Sequence, residues 1–257
     1  MSKVFIAVPT YGHGITWGAA KAIWRAASRE HRFEVASASA SLITLNCNTL
    51  WCTALNRRGE HEVEWFAMLH TDVEPAEWWI DVLIAEAEKH GADMMSAVVP
   101  LKNETGSTST GIANAGSAYG QYCRLTQAQV HHPLFPETFG IVEAVEGLER
   151  LPEPLKILGA PREVLLVNTG CFVIRMTKPW AEQVWFEQTD AIEQKNGSWG
   201  PVSQPEDWNF SRKVAAVGGK VMATRLVNLI HRGETIYRSD QVWGQPRDLA
   251  GIPELRF

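Results

Sequence analysis

Three groups of residues have the types and spacing to do chemistry. The first is Leu69-His70-Thr71-Asp72-Val73-Glu74-Pro75, at the end of an apolar run from Val63 to Leu69. If that run is a strand, the turn lies where open α/β sheets bind ligands, outside the carboxyl ends of their strands. Residues two apart in extended chain point to the same side, so His70 and Asp72 share one face. Hard divalent cations such as Mg²⁺ or Mn²⁺ prefer oxygen ligands and bridge a carboxylate to a substrate's phosphates. The other reading is that Asp72 and Glu74 cap a helix starting at Pro75, because carboxylates favour helix N-termini. Both readings stand for Asp72, while Glu74 fits the cap better.

The second group is Pro205-Glu206-Asp207-Trp208, at a predicted helix start. Adjacent acids there either cap the helix or supply a general base, which needs a carboxylate within hydrogen-bond reach of the attacking hydroxyl. The third is His231, which follows a predicted strand and precedes Gly233. A lone histidine is more often structural, but imidazole suits Mn²⁺ and would complete a site with Asp72. Asn168-Thr169-Gly170 precedes the strand Cys171 to Arg175, and its glycine serves a tight turn or a close backbone approach. Lys102, at the end of another strand, is read as solvated, with a phosphate or sugar hydroxyl as its alternative partner.

The elements that must position these groups follow from the apolar pattern. Val4 to Val8 reads as a buried strand ended by Pro9, and Ile15 to Arg29 as a helix. Phe33 to Ala38 reads as a strand, Asn48 to Arg58 as a helix closed by Gly59, and Pro75 to Lys89 as a helix with Gly91 past its end. With a strand at Asp93 to Val99, the first hundred residues alternate strand and helix, the pattern of a mostly parallel, doubly wound sheet. Residues 103 to 120 are small, polar and glycine-rich and read as a long loop, a candidate lid over a substrate. Five prolines between Pro133 and Pro161 mark an irregular insertion. Beyond it come a strand at Val164 to Val167, the strand at Cys171, and a helix from Trp180 to Gln194. A second helix, Trp208 to Val217, is followed by short strands at Lys220 to Ala223 and Leu226 to Ile230.

The order of these groups resembles the glycosyltransferases of the GT-A fold, particularly the family 2-like group, over about residues 3 to 235. The resemblance implies a Rossmann-like, mostly parallel central sheet flanked by helices, in one catalytic domain. A nucleotide-sugar-binding half would span about 1–102, a loop and insertion 103–161, an acceptor half 162–235 and a tail 236–257. It implies a nucleoside-diphosphate sugar as donor, a UDP-sugar first, and a divalent metal, Mn²⁺ or Mg²⁺. The family's Asp-x-Asp motif reads His70-Thr71-Asp72 here, so Asp72 carries over as a metal and diphosphate ligand and His70 is the departure. Asp207 matches the family's catalytic base, Glu206 its acceptor or sugar contact, and His231 its late metal ligand. Pro9, Thr10 and Tyr11 resemble the loop that cradles the nucleotide base, and Asn48 lies in the helix that contacts the nucleotide. Asn168 and Gly170 match the stretch where sugar and acceptor approach the backbone. The family often has an Ala-Arg-Asn in that helix, and this chain lacks its arginine.

Composition narrows the rest. Hydrophobic residues make up 45% and charged residues 21%, as in a globular protein with a large core. The net charge of -5 argues against a broad electrostatic grip on nucleic acid. The four cysteines are too few for a disulfide framework and are read as buried thiols of a reducing compartment. With no signal-peptide pattern and no apolar run near the roughly 18 residues of a membrane span, a cytoplasmic protein with no membrane partner is expected. The acceptor is open among a small molecule, a glycan, a protein and modified DNA. The chain's general look is that of phage-encoded enzymes working in the host cytoplasm, some of which glycosylate hydroxymethylated DNA bases. For that option Arg57, Arg58, Arg212, Lys213, Arg225, Arg232 and Arg238 would form one basic face. Two readings of other classes are a nonenzymatic nucleotide or sugar-binding module and an NAD-dependent oxidoreductase. The second is suggested by Gly12-His13-Gly14, but the third glycine of the dinucleotide fingerprint comes one residue late, at Gly18.

Overall fold

The structure is a computed structural model, and it describes residues 2–12, 14–26, 31–60, 62–114, 122–153, 155–157, 162–195, 197–233 and 236–243. His13, the end of the predicted long loop, parts of the insertion and most of the tail lie outside the described residues. The first part runs β1 (Ser2–Thr10), α1 (Trp17–Trp24), β2 (His31–Ser39), α2 (Ile43–Glu60), β3 (Val63–Leu69), β4 (Val73–Pro75), α3 (Trp79–His90) and β5 (Met94–Ala97). The middle holds β6 (Ser107–Ala113), β7 (Tyr122–Thr126), α4 (Gln127–Val130), β8 (Thr138–Phe139) and α5 (Ile141–Arg150). The last part runs β9 (Val164–Leu166), β10 (Cys171–Arg175), a 3₁₀ turn at Pro179–Gln183, β11 (Thr189–Lys195), β12 (Ser198–Gln204), α6 (Glu206–Ala216), β13 (Val221–Thr224), β14 (Leu229–Arg232) and β15 (Ile236–Arg238).

Seven strands form the central sheet in the order β2-β1-β3-β10-β5-β13-β8. β1 is parallel to β2 and β3, and β13 is parallel to β5, whereas β10 and β8 run against their neighbours. Helices cover both faces, which is why the strands read as nearly unbroken apolar runs. Alternate residues serve opposite layers: Phe5, Phe66, Met68 and Phe172 pack with Trp51 of α2 and Phe210 of α6. Val4, Ile6, Trp65, Ala67 and Leu69 pack on the other side with Ala19 of α1 and Leu83 of α3. Trp51 meets Phe66 and Phe210 edge-on, with centroids 5.0 and 5.3 Å apart, and Phe186 stacks on Phe210 at 4.1 Å.

Four expectations are corrected. The helix expected from Pro75 starts at Trp79, because Val73–Pro75 pairs with β14 instead. The stretch read as a lid contains β6, a buried strand between β7 and β9 whose threonine hydroxyl at Thr108 is satisfied by the Leu125 carbonyl at 2.8 Å. The helix expected over 180–194 is a 3₁₀ turn and the first strand of the β11–β12 hairpin. The insertion is more regular than its prolines suggest, since β8 closes the central sheet and α5 packs beside it. Of the thiols, Cys47, Cys123 and Cys171 are buried, but Cys52 is exposed on the outer side of α2. No helix among the described residues is long and apolar enough to cross a membrane.

Candidate functional site

A cavity of about 200 Å³ opens at the carboxyl ends of β1, β2 and β3, lined by Pro9, Thr10 and Tyr11 on one side and His70, Thr71 and Asp72 on the other. This is the position a twisted α/β sheet leaves free for a ligand. Tyr11 stands at its edge with 79% of its surface exposed, an aromatic ring with no packing duty. Five of the residues predicted to hold a nucleotide therefore come together. Asn48 does not join them: its amide donates to the Phe186 carbonyl and accepts from the Phe186 N–H, both at 2.8 Å, so it fastens the aromatic layer. Asn46, two residues earlier in α2, lines the cavity and donates to the carbonyls of Thr10 (2.9 Å) and Ala40 (3.1 Å).

The turn carrying Asp72 is held from three sides. The Thr16 N–H donates to the Thr71 carbonyl at 3.2 Å, the His70 N–H to Gly170 at 2.9 Å, and the Arg232 N–H to the Asp72 carbonyl at 2.8 Å. Pairing of β14 with β4 sets His231 opposite Val73, and His231 Nε2 lies 3.8 Å from Asp72 Oδ2. His231 Nδ1 sits 2.7 Å from the Pro100 carbonyl. A carbonyl only accepts, so Nδ1 carries the proton and the Nε2 lone pair faces a carboxylate. Burial holds His231 below its ordinary value in spite of the Pro100 bond, which keeps it neutral near pH 7. Two acceptors aimed at each other call for a cation between them. In this structure a cation, the Lys102 ammonium, is bonded to the Asp72 side, at Oδ2. Burial works to raise Asp72, but the hydrogen bond from Lys102 and the neighbouring positive groups outweigh it and hold the carboxyl low.

These groups fit a divalent ion in a limited way. Asp72 and His231 are the two ligands, and a histidine whose other nitrogen donates to a backbone carbonyl is oriented as metal-binding histidines are. Mg²⁺ is commonly held by one or two carboxylates with substrate phosphates and water completing the shell, a role Asp72 alone could fill. Among the described residues no cluster of three or more such side chains forms. His70 stays apart: its Nε2 is closed off from solvent without a partner, and burial first, with His231 and Lys102, pushes it down to about 4. Glu74 belongs to neither predicted role, since it pairs with Arg232. A larger groove of about 280 Å³, between α1, β4 and β14, contains none of the predicted site residues, and its Arg25 and Arg238 are already paired with Glu77 and Asp240.

Asp207 lies in the first turn of α6 and is 6% exposed. Its Oδ1 accepts the Trp208 N–H at 2.7 Å, and its Oδ2 accepts from Ser109 (3.2 Å) and from the Asn168 amide (3.1 Å). Burial, and then the half-buried Glu206 beside it, push Asp207 up to about 7; burial also raises Glu206. A carboxyl poised near neutrality suits a proton acceptor. Ser109 comes from β6, the strand mistaken for a loop. Arg124 of β7 lies 4.2 Å over the Trp208 ring, favours the ionised form of Asp207, and keeps Nη1 buried without a partner. Neither Ser109 nor Arg124 carries a sequence signal, because only the packing of β6 and β7 on α6 brings them here.

Asn168 and Gly170 join the two halves. The Asn168 amide donates to Asp207 while its Oδ1 accepts the Gly170 N–H at 2.6 Å, and the Gly170 carbonyl accepts from His70. A Cβ on Gly170 would fall 2.7 Å from Asn168 Oδ1 and 3.4 Å from His70 Cγ, so the glycine is there for close approach. The expected basic face does not assemble as free charge. Arg57, Arg58, Lys213, Arg225, Arg232 and Arg238 pair with Glu34, Glu182, Glu187, Glu137, Glu74 and Asp240.

A mostly parallel sheet covered on both faces, with a ligand cavity at its strand ends, is a GT-A-like architecture. The chain shares its fold with A197 from STIV at a TM-score of 0.51 and 12% identity, covering 96% of each chain. S. aureus TarS 1–349 matches at a TM-score of 0.32 and 11% identity over 72% of this chain and 50% of that one, too loosely to bear on the fold. No family model and no curated protein sequence matches the chain.

Proposed function

We propose that the chain is a glycosyltransferase that moves a sugar from a nucleoside-diphosphate sugar to an acceptor hydroxyl by direct displacement. The observation that carries this is the hydrogen-bonded path from the cavity turn through Gly170 and Asn168 to Asp207. It ties the recess at the strand ends to a buried carboxylate near neutral pKa, which is the pairing a displacement needs. Pro9, Thr10 and Tyr11 hold the base, and the Asp72 turn faces the diphosphate. Asp207 takes the acceptor's proton as its oxygen attacks the anomeric carbon; the bond to the diphosphate breaks and configuration inverts. Glu206 contacts the acceptor or the sugar. Asp72 and His231 would hold Mn²⁺ or Mg²⁺, which when bound neutralises charge on the departing diphosphate.

Acceptors to compare are small molecules, glycans, proteins and hydroxymethylated DNA, and the paired surface cations give DNA no advantage. The test is thermal unfolding of the full chain with UDP- and GDP-sugars, with and without Mn²⁺, followed by mass analysis of donor turnover. A sugar nucleotide at a hundred times its Kd should stabilise the fold by about 2.7 kcal/mol. Stabilisation by NAD and by no sugar nucleotide would overturn the assignment.

A further inference from the structure

Lys102 is more fully built into the site than a solvated lysine would be. It follows the Pro100–Thr108 bridge at the end of β5, and the Leu101 N–H donates to the Ser107 carbonyl at 2.9 Å, so its backbone is anchored. Its stem lies on Gly233, where an added Cβ would come within 3.1 Å of Lys102 Cδ and 3.4 Å of Lys102 Cβ. That contact gives the glycine two residues after His231 a physical reason: it keeps open the slot along which the lysine reaches Asp72. The ammonium then bonds Asp72 Oδ2, the same oxygen that lies 3.8 Å from His231 Nε2. One carboxylate oxygen is thus wanted by two cations, the ammonium present and the divalent ion that Asp72 and His231 would hold. The Lys102 side chain is 34% exposed, so its head has room to leave.

We propose that Lys102 is a ligand for the donor's diphosphate and that it guards the cation site until that diphosphate arrives. With no donor bound the ammonium occupies Asp72 and competes with free metal. When a nucleoside diphosphate enters, Asp72 and His231 would hold its ion, and Lys102 moves its three N–H donors to the phosphate oxygens. A cation on a flexible four-carbon stem suits this exchange, because it binds phosphate as a point charge with no fixed orientation. Metal and nucleotide then bind with positive coupling, and by linkage each strengthens the other by the same factor. The proposal rests on the glycosyl-transfer reading above and adds to it a residue and an order of binding.

The experiment compares the full chain with Lys102→Met, which keeps the stem on Gly233 and removes the charge, and with Lys102→Arg, which keeps the charge. Mn²⁺ alone, UDP alone and the two together are titrated by calorimetry, with unfolding curves confirming that all three proteins are folded. Lys102→Met should bind Mn²⁺ alone about two- to fivefold more tightly, the size expected from removing one partly exposed ion pair. It should bind UDP with Mn²⁺ about tenfold or more weakly, as for loss of a hydrogen bond to a charged group. Lys102→Arg should retain most of the coupling. Unchanged Mn²⁺ and UDP affinities in Lys102→Met would overturn the proposal while leaving the glycosyltransferase reading intact. Failure of the unaltered chain to bind UDP or GDP under any condition would overturn both.

Discussion

Asp207→Asn tests the buried carboxylate through stability and catalysis at once. Burial with Glu206 lifts Asp207 from an ordinary 3.8 to about 7. At about 1.4 kcal/mol per pH unit, ionising it above pH 8 costs the fold about 4 kcal/mol relative to a neutral group. The sign follows from which state holds the proton more tightly. The folded chain does, so this contribution is intact below about pH 4 and is lost as the pH rises through 7. Asparagine has the same shape and can accept the Trp208 N–H. Its own N–H groups would meet the Asn168 amide, and the lost bond takes back about 1–2 kcal/mol at every pH. The change between two pH values cancels that fixed cost. From pH 5 to pH 8.5 the variant should gain about 2.7 kcal/mol on the unaltered chain, two pH units' worth, measured by urea unfolding with tryptophan fluorescence. Transfer by the unaltered chain should climb about tenfold per pH unit below 7 and level off above it, and the variant should lose about 10²–10⁴ of it. Parallel stability curves would show that the charge is not buried at a cost, and undiminished transfer would remove the base assignment.

Gly170→Ala should push Asn168 off Asp207 and lower kcat by about a hundredfold with a smaller effect on UDP affinity, checked by steady-state kinetics beside calorimetry. Asn48→Ala should cost about 1–3 kcal/mol of unfolding free energy by orphaning the Phe186 backbone and leave the UDP Kd unchanged; a weakened Kd would return Asn48 to the nucleotide site. In the native chain a thiol reagent at pH 8 should modify Cys52 alone, since burial raises the other three, Cys123 to about 11, and all four should react in urea.

The parts of the fold legible in the sequence are those where one physical effect dominates. Val63 to Leu69 is buried on both faces and reads as a strand to the residue. Helix α6, with Trp208 and Phe210 inward and Arg212 and Lys213 outward, is nearly as clear. Strand β6 was hidden because its residues, Ser107 to Ala113, are mostly small and polar; what makes them a strand is pairing with β7 and with β9, the latter about fifty residues further along the chain. The β11–β12 hairpin pairs exposed residues around Gly197, which leaves no apolar period to find. In the site, Asp72, His231 and Asp207 were legible through their order and their places at strand and helix ends. Lys102 was not, since a lysine's reach of 30 residues back to Asp72 leaves no local trace. Asn46 was missed for Asn48 because the predicted helix began five residues late, at 48 instead of Ile43.

The antiparallel strand β10 ties the site to the timing of folding. β10 lies between β3 and β5, so two strands separated by only a short stretch of chain are joined through one that is made about a hundred residues later. Contacts that distant in sequence close late, because the loop entropy must be met before they stabilise anything. A chain leaving the ribosome as far as Lys102 thus carries β5 with no partner for either edge. The same closure brings Asn168 and Gly170 to His70, so the connection between cavity and carboxylate comes into being only as the gap between β3 and β5 is filled. The first hundred residues hold the cavity's lining, yet without β10 they lack its tie to Asp207 and are not a working unit that can be cut away. A chain that stops short of β10 is without this connection, and competence for ligand reports that β10 has joined β3 to β5.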